Sequence, residues 1–305
     1  MANSSNRKPL VHRAVDPERS SVRRIFIGPH GLRSGWSFTL YVGLFTLIVY
    51  TGGWGTRSLR FGELWSQMFR ELGVLSAAII AGVIMARIER RPWSAYGLPM
   101  RSAFSKLFWV GALWGFLAIS LLLEVLHVLN AFDFGHIALH GARIASYAAF
   151  WGLMFLSVSL FEEFLLRGYS QFTLARAIGF WPAAALLSSI FGVSHLRNAG
   201  EAWTGALAAV IMGLFFCHTL RRTGNLWFAV GFHSSWDWGE SFFYSVPDSG
   251  EIALGHLLSS SFRGPKWLTG GSVGPEGSLL CLVVIAVVWA AFHRAYRGDD
   301  HAANR

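Results

Sequence analysis

The chain has 305 residues, of which 53% are hydrophobic and only 14% are charged, whereas an average globular protein has roughly 25% charged residues. This deficit, together with apolar blocks of about 18 residues or more, predicts an all-α, polytopic membrane helix bundle and excludes an outer-membrane barrel, whose strands alternate in polarity. The formal net charge of +9 comes from basic residues that flank the apolar blocks, as orientation in a membrane requires, so we expect no nucleic-acid partner.

About eight apolar blocks follow one another along the chain and are predicted to be transmembrane helices. They cover about residues 35–54, 70–88, 104–128, 144–166, 181–197, 203–220, 225–246 and 277–295. The fourth block could continue as helix towards residue 177. We therefore expect a transmembrane domain over residues 35–296, preceded by a basic, disordered cytoplasmic tail (1–34) and followed by a C-terminal tail (297–305).

The lysines and arginines are distributed unevenly between the two ends of these helices. An even number of spans puts both termini on one side of the membrane, and most of the 26 basic side chains fall on that side. Because cytoplasmic loops carry the excess of lysine and arginine, the pattern predicts a multi-pass protein of the inner (plasma) membrane with both termini in the cytoplasm.

The stretch Phe161-Glu162-Glu163-Phe164-Leu165-Leu166-Arg167 places three ionisable side chains at the end of the fourth apolar block. Such side chains are costly at membrane depth, and they usually face a cavity or a partner. On a helix, Glu163 and Arg167 are four residues apart and share a face, so we interpret them as a structural ion pair. Glu162 is turned by about 100° from Glu163 and needs a partner elsewhere in the fold.

Two further helices bring ionisable side chains to the same depth. The fifth contains His195, and the seventh contains His233 and Asp237, which share a face because they are four residues apart. Each of these residues alone is most simply explained as a hydrogen-bonded packing residue. Together with Glu162 they need one another to be tolerated in lipid, and two acids and two histidines that converge on a cavity suit the activation of a water molecule.

These residues resemble the motifs of a known family. Glu162-Glu163-x-x-x-Arg167, Phe191-x-x-x-His195 and His233-x-x-x-Asp237, in this order on successive helices, are similar to those of the CPBP intramembrane proteases, which include the type II CAAX prenyl endopeptidases and bacterial relatives linked to bacteriocin processing. The segments Asn225-Leu226-Trp227, Trp267-Leu268-Thr269-Gly270-Gly271 and Gly274-Pro275-Glu276-Gly277 also resemble bacterial members. The resemblance covers a protease-like core of about residues 145–295 and implies an intramembrane endopeptidase.

The resemblance also implies a role for each residue. Glu162 and His195 would activate a water against the carbonyl of a peptide bond, while His233 and the residue four positions later would stabilise the oxyanion. That later position is often Asn in the family, whereas this chain has Asp237, and an ionised aspartate cannot donate a hydrogen bond. Asp237 is therefore protonated, or it orients His233, or it belongs to a metal site.

A metal site at these positions would suit zinc. Its ligands would be the same four residues, Glu162, His195, His233 and Asp237. We nevertheless expect metal-independent chemistry of the glutamate type and no cofactor, because the sequence has no HExxH-like ligand pair and its two cysteines form no CxxC motif.

Two other functions remain open from the sequence. The same fold could serve as a non-catalytic membrane scaffold or bacteriocin-immunity protein, in which the polar residues only hold helices together. A proton-coupled transporter would use similar side chains as relays, but the chain lacks the paired internal repeats that are common in transporters. We favour a peptidase acting on a membrane-associated protein or peptide, because a purely structural cluster would not need the uncompensated Glu162.

Overall fold

The computed structural model describes residues 25–28, 31–55, 61–198, 200 and 202–297, so most of the two predicted tails (1–24 and 298–305) lies outside the described residues. The helices are α1 (Ser34–Gly55), α2 (Glu63–Glu89), α3 (Lys106–Val128), α4 (Ala142–Glu163), α5 (Gln171–Ile178), α6 (Phe180–His195), α7 (Trp203–Thr223), α8 (Trp227–Trp238), α9 (Lys266–Thr269) and α10 (Leu279–Ala295). The π-helical turns Phe164–Ser170 and Gly239–Phe243 extend α4 and α8, and short 3-10 helices cover Trp93–Tyr96, Met100–Ser102 and Pro275–Gly277.

Two short antiparallel ladders accompany these helices in the described part of the chain. β1 (Ile27–Gly28) pairs with β2 (Gly31–Leu32), and β3 (Phe132–Asp133) pairs with β4 (Ser261–Phe262). In the second ladder Phe132 lies opposite Phe262. This ladder joins the loop after α3 to the loop before α9, so these two connections lie together at one end of the helices.

The structure confirms the predicted all-α membrane bundle. Of the described residues 74% are helical, and five described helical segments are long and apolar enough to cross a membrane. They are Ser34–Gly53, Glu63–Glu89, Lys106–Val128, Ala142–Ile178 and Trp203–Thr223. The remaining predicted spans correspond to α6, α8 and α10, which are shorter, with 16, 12 and 17 residues. The fourth predicted helix does continue to Ile178, through a π-helical turn and α5, with a kink at Gly168, whose backbone angles (φ −83°, ψ −113°) are not helical.

Helix α2 begins at Glu63, whereas hydropathy predicts a start near residue 70. Its first turns contain polar side chains such as Gln67 and Glu71. In the fold both side chains line a central cavity instead of facing lipid. A hydropathy pattern underestimates the length of this helix because it assumes that every side chain of a span faces an apolar environment.

Helices α3 and α8 pack with their backbones in close contact, and glycines make this possible. A Cβ atom on Gly111 would collide with the carbonyl oxygen of Phe228, and one on Gly115 would collide with that of Phe232. Small residues four positions apart permit such close helix pairs in membranes. The two glycines of α3 therefore determine how near α8 lies, and α8 carries two of the predicted site residues.

Both α4 and α8 change to a π-helical turn directly after their predicted site residues. Helix α4 changes at Phe164, immediately after Glu162 and Glu163, and α8 changes at Gly239, shortly after Asp237. Turns of this kind are rare, and they occur frequently at functional sites because they re-aim the side chains of a helix. The two turns therefore mark the same region of the bundle as the sequence motifs do.

Candidate active site

Helices α2, α4, α6, α7, α8 and α10, together with the loops around α9, line a cavity of about 390 Å³. All four predicted catalytic residues line it: Glu162 from α4, His195 from α6, and His233 and Asp237 from α8. Much of the remaining wall is apolar, with Trp151, Met154, Phe155, Phe191, Phe216 and Phe232 among its side chains. The fold thus brings together polar residues that are far apart in the sequence.

Glu163 and Arg167 form a buried ion pair beside the cavity. Nη1 of Arg167 donates a hydrogen bond to Oε1 of Glu163 over 3.0 Å, and neither side chain is exposed to solvent. The guanidinium carbon also lies 4.6 Å from the ring centre of Phe191 and 5.8 Å from that of Phe216, which adds cation–π contacts. The pair that the spacing of four residues indicates is therefore present, although Arg167 itself lies in the π-helical turn.

Glu163 has a second contact that the sequence analysis missed. Nδ1 of His233 lies 3.1 Å from the same Oε1 atom. An ionised carboxylate only accepts hydrogen bonds, so Nδ1 carries the hydrogen of this contact. Arg167, Glu163 and His233 thus form one continuous chain of contacts from the π-helical turn after α4 to α8.

The other ring nitrogen of His233 lies between two acids. Nε2 is 3.7 Å from Oε2 of Glu162 and 3.6 Å from Oδ2 of Asp237. Both distances are too long for a hydrogen bond, so the bond that orients the imidazole comes from Glu163 and not from Asp237. The side chain of Glu162 is 25% exposed, whereas that of Asp237 is only 8% exposed. Glu162 is therefore the acid that a water in the cavity reaches more easily.

His195 completes the site from the last position of α6. Its Nδ1 atom lies 2.8 Å from the carbonyl oxygen of Phe191, and the two rings pack edge to face at 4.5 Å. A carbonyl oxygen only accepts, so this bond places the hydrogen on Nδ1 and leaves Nε2 of the neutral ring as an acceptor. An acceptor in the cavity wall suits the binding of a water molecule through one of its hydrogens.

The cavity region also contains acids that the sequence analysis did not select. Asp248 and Glu276 line the cavity from the loops on either side of α9, and the buried Glu240 lies beside them. The pKa of the Asp248 carboxyl is raised well above its ordinary value, mainly by burial and to a smaller extent by the negative charge of Glu276. Two of these acids had a signal in the sequence: Glu240 continues the helical face of Asp237 three residues further on, and Glu276 lies in the segment Gly274-Pro275-Glu276-Gly277 that resembles bacterial family members.

Two sets of side chains are candidate ligands of a metal ion. One carboxylate oxygen from each of Glu240, Asp248 and Glu276 lies within 4.8 Å of the other two, and in the described part of the chain this is the one group of three or more potential ligands so close together. The four residues that zinc would need do not form such a group there. In addition, Nδ1 of His233 is already bonded to Glu163.

Comparison with known proteins supports the sequence motifs. Residues 144–239 match the family model described as "Type II CAAX prenyl endopeptidase Rce1-like", and this segment contains all the motif residues from Glu162 to Asp237. The match confirms the resemblance to the CPBP family. At the level of the family it supports an intramembrane protease of the CAAX type, and together with the apolar helices it supports a multi-pass membrane protein.

A second similarity is to a protein of another kind. The "Transcriptional repressor PaaX" of Escherichia coli (strain K12) is 31% identical over 120 residues, which are 35% of this chain and 36% of the repressor. The chain therefore spans only about a third of the length of this curated relative. No solved structure matches the chain.

Proposed function

We propose that the protein is an intramembrane endopeptidase that hydrolyses a peptide bond of a membrane-associated protein or peptide. The observation that carries this proposal is the convergence of Glu162, His195, His233 and Asp237 on one cavity, within the segment that resembles the type II CAAX prenyl endopeptidases. Apolar walls beside two acids and two histidines suit a peptide chain that is held next to an activated water molecule.

In the proposed reaction Glu162 is the general base. A water molecule donates one hydrogen to the Glu162 carboxylate and the other to Nε2 of His195. It gives its proton to Glu162 as its oxygen attacks the carbonyl carbon of the peptide bond. The carboxyl group of Glu162 then returns the proton to the departing nitrogen, so that one water is consumed and a new carboxyl and a new amino terminus are released.

The negative charge that forms on the carbonyl oxygen is stabilised by His233 and Asp237. The contact between Nδ1 of His233 and Glu163 leaves Nε2 directed at the space between Glu162 and Asp237. In the doubly protonated ring Nε2 carries a hydrogen and donates it to the oxyanion. Asp237 assists as a protonated carboxyl group, which is a donor where an ionised one is not. Each such donor can contribute about 3 kcal/mol to transition-state stabilisation.

We propose that this chemistry needs no metal ion at the catalytic residues. Zinc would require Glu162, His195, His233 and Asp237 to bind one ion together as ligands. In the described part of the chain these four residues do not form a group whose ligand atoms all lie within 4.8 Å of one another. His233 would also have to bind the metal through Nε2, the atom that the proposed mechanism uses as a donor.

The position of the cavity in the bundle suggests the side from which substrate arrives. The cavity wall includes Gln67 near the start of α2, His195 at the end of α6 and Glu251 in the loop after α8. If successive spans run in alternating directions, these positions fall at the end of the bundle opposite to the start of α1 and the end of α10. With both termini in the cytoplasm, as the distribution of basic residues suggests, the site would be reached from the outer face of the membrane. We therefore favour a substrate segment at the outer face over a prenylated cytoplasmic protein.

The test compares the membrane proteomes of cells that contain the wild type or the Glu162→Gln variant. This variant keeps the shape of the side chain and removes its basicity, so we expect an uncleaved precursor to accumulate in the variant cells. Glu251→Gln, which changes another acid in the cavity wall, serves as the control for a general effect of lost charge. The proposal fails if Glu162→Gln accumulates normally in the membrane and the two proteomes are the same.

A further inference from the structure

We propose that Glu240, Asp248 and Glu276 bind a hard divalent cation, such as Ca²⁺ or Mg²⁺, at a site separate from the catalytic residues. One carboxylate oxygen of each residue lies within 4.8 Å of those of the other two. Two ligands on opposite sides of a calcium ion are roughly 4.6–5.2 Å apart, and neighbouring ligands are closer, so one ion can contact all three oxygens. This inference does not rest on the protein being a peptidase.

Glu240 provides an observation that is independent of the clustering. Its side chain is fully buried, and neither Oε1 nor Oε2 has a hydrogen-bond partner among the described residues. A carboxylate that is removed from water in this way is tolerated when it is paired with a positive charge or coordinates a metal. The groups nearest to its oxygens include two further acids, so a cation between the three carboxylates satisfies all of them together.

The other two acids are held in place and remain accessible from the cavity. Nε1 of Trp236 donates to Oε1 of Glu276 over 3.1 Å, and Oγ of Ser241 donates to Oδ2 of Asp248 over 3.3 Å. Such bonds orient ligands and are typical of built metal sites. Both acids line the cavity, which gives the ion a path of entry and lets water molecules complete its coordination.

The identity of the ligands selects the class of ion. All three are carboxylates, and carboxylate oxygens suit Ca²⁺, Mg²⁺ or Mn²⁺, whereas imidazole and thiolate ligands select zinc and copper. The three acids come from three segments: Glu240 from the turn after α8, Asp248 from the loop before α9, and Glu276 from the 3-10 helix before α10. A bound ion would therefore fasten the loops that form one wall of the cavity to the helix that carries His233 and Asp237.

The experiment uses the purified full-length protein in detergent, freed of metal with EDTA and titrated with CaCl₂ or MgCl₂. We expect one saturable site per chain by calorimetry and an upward shift of the thermal unfolding midpoint, since an ion that binds only the folded protein stabilises it. Glu240→Gln should weaken the binding by roughly tenfold or more. Even the loss of a residue that only hydrogen-bonds to a metal ligand lowers metal affinity by about tenfold or more, and Glu240 is proposed to be a ligand itself. Glu251→Gln, the matched change at an acid of the same cavity outside the cluster, should bind like the wild type.

The thermal stability of Glu240→Gln in the absence of metal is a second, independent measurement. In EDTA, Glu240→Gln should be at least as stable as the wild type, because it removes a buried acid that faces two other acids, whereas in calcium it should be less stable. If Glu240→Gln does not fold, Asp248→Asn, at a partly exposed position, takes its place in the titration.

Two results would overturn the inference. The first is a wild-type protein that binds neither ion at concentrations well above the millimolar range in which weak calcium modules operate. The second is binding that His233→Ala abolishes and Glu240→Gln leaves intact, because the ion would then occupy the catalytic residues. Neither result depends on peptidase activity, so the proposed function can fail while the cation site stands, and the reverse also holds.

Discussion

The buried pair of Arg167 and Glu163 allows a quantitative prediction about folding. Arg167→Ala removes a guanidinium that is not exposed, that lies 3.0 Å from Glu163 and that packs 4.6 Å from the ring centre of Phe191. The variant leaves a buried carboxylate whose remaining hydrogen-bond partner in the described structure is His233. Loss of one partner of a buried ion pair costs about 3–5 kcal/mol. At about 1.4 kcal/mol per factor of ten, the ratio of folded to unfolded protein should fall more than a hundredfold.

The assay measures the amount of each variant in the membrane and its thermal unfolding midpoint after extraction. Arg143→Ala is the matched control, because it is the same chemical change at an exposed position of α4. Glu162→Ala is the second control, since a partly exposed acid beside the cavity should matter for reaction and little for folding. Normal accumulation and an unchanged midpoint of Arg167→Ala would refute the assignment of this pair to stability.

Three further predictions concern topology, packing and the oxyanion site. A reporter that works only in the cytoplasm should give a signal at both termini, and a signal at one terminus alone would mean an odd number of spans. Gly115→Ala should destabilise the protein by about 1–3 kcal/mol, because its Cβ would collide with the Phe232 carbonyl. Gly73→Ala, with open space around it, should not destabilise the protein. Equal unfolding midpoints of the two variants would contradict the close approach of α3 and α8. With a peptide substrate, His195→Ala should lose activity and Asp237→Asn should keep much of it without zinc. Stoichiometric zinc in the wild type, lost together with activity in Asp237→Asn, would contradict the metal-independent mechanism.

The helices and one contact of the site could be predicted from the sequence because they depend on local spacing. Apolar blocks of sufficient length predicted the positions of the eight apolar helices, of which five are long enough to cross a membrane. The distribution of lysine and arginine predicted an orientation that awaits the reporter test. The ion pair of Glu163 and Arg167 follows from a separation of four residues, which a helix converts into a shared face whatever surrounds it. A signal for the close packing of α3 was also present in Gly111-x-x-x-Gly115, although it does not name the partner helix.

The remaining contacts could not be predicted in this way, because they depend on how separate elements are rotated and packed against one another. Hydropathy placed the start of α2 too late, since Gln67 and Glu71 face a cavity that exists only in the folded bundle. The approach of Glu240, Asp248 and Glu276 requires two loops to fold back onto the turn after α8.

The contact between His233 and Glu163 shows the difference most clearly. The sequence by itself determined that α4 and α8 would each carry ionisable residues in an apolar environment, and that such residues would need partners. Only the tertiary structure decided that the imidazole pairs with Glu163 through Nδ1, while Nε2 lies between Glu162 and Asp237. Adjacent residues on a helix point about 100° apart, so the relative rotation of two packed helices decides which of two neighbouring glutamates bonds to a histidine 70 residues away.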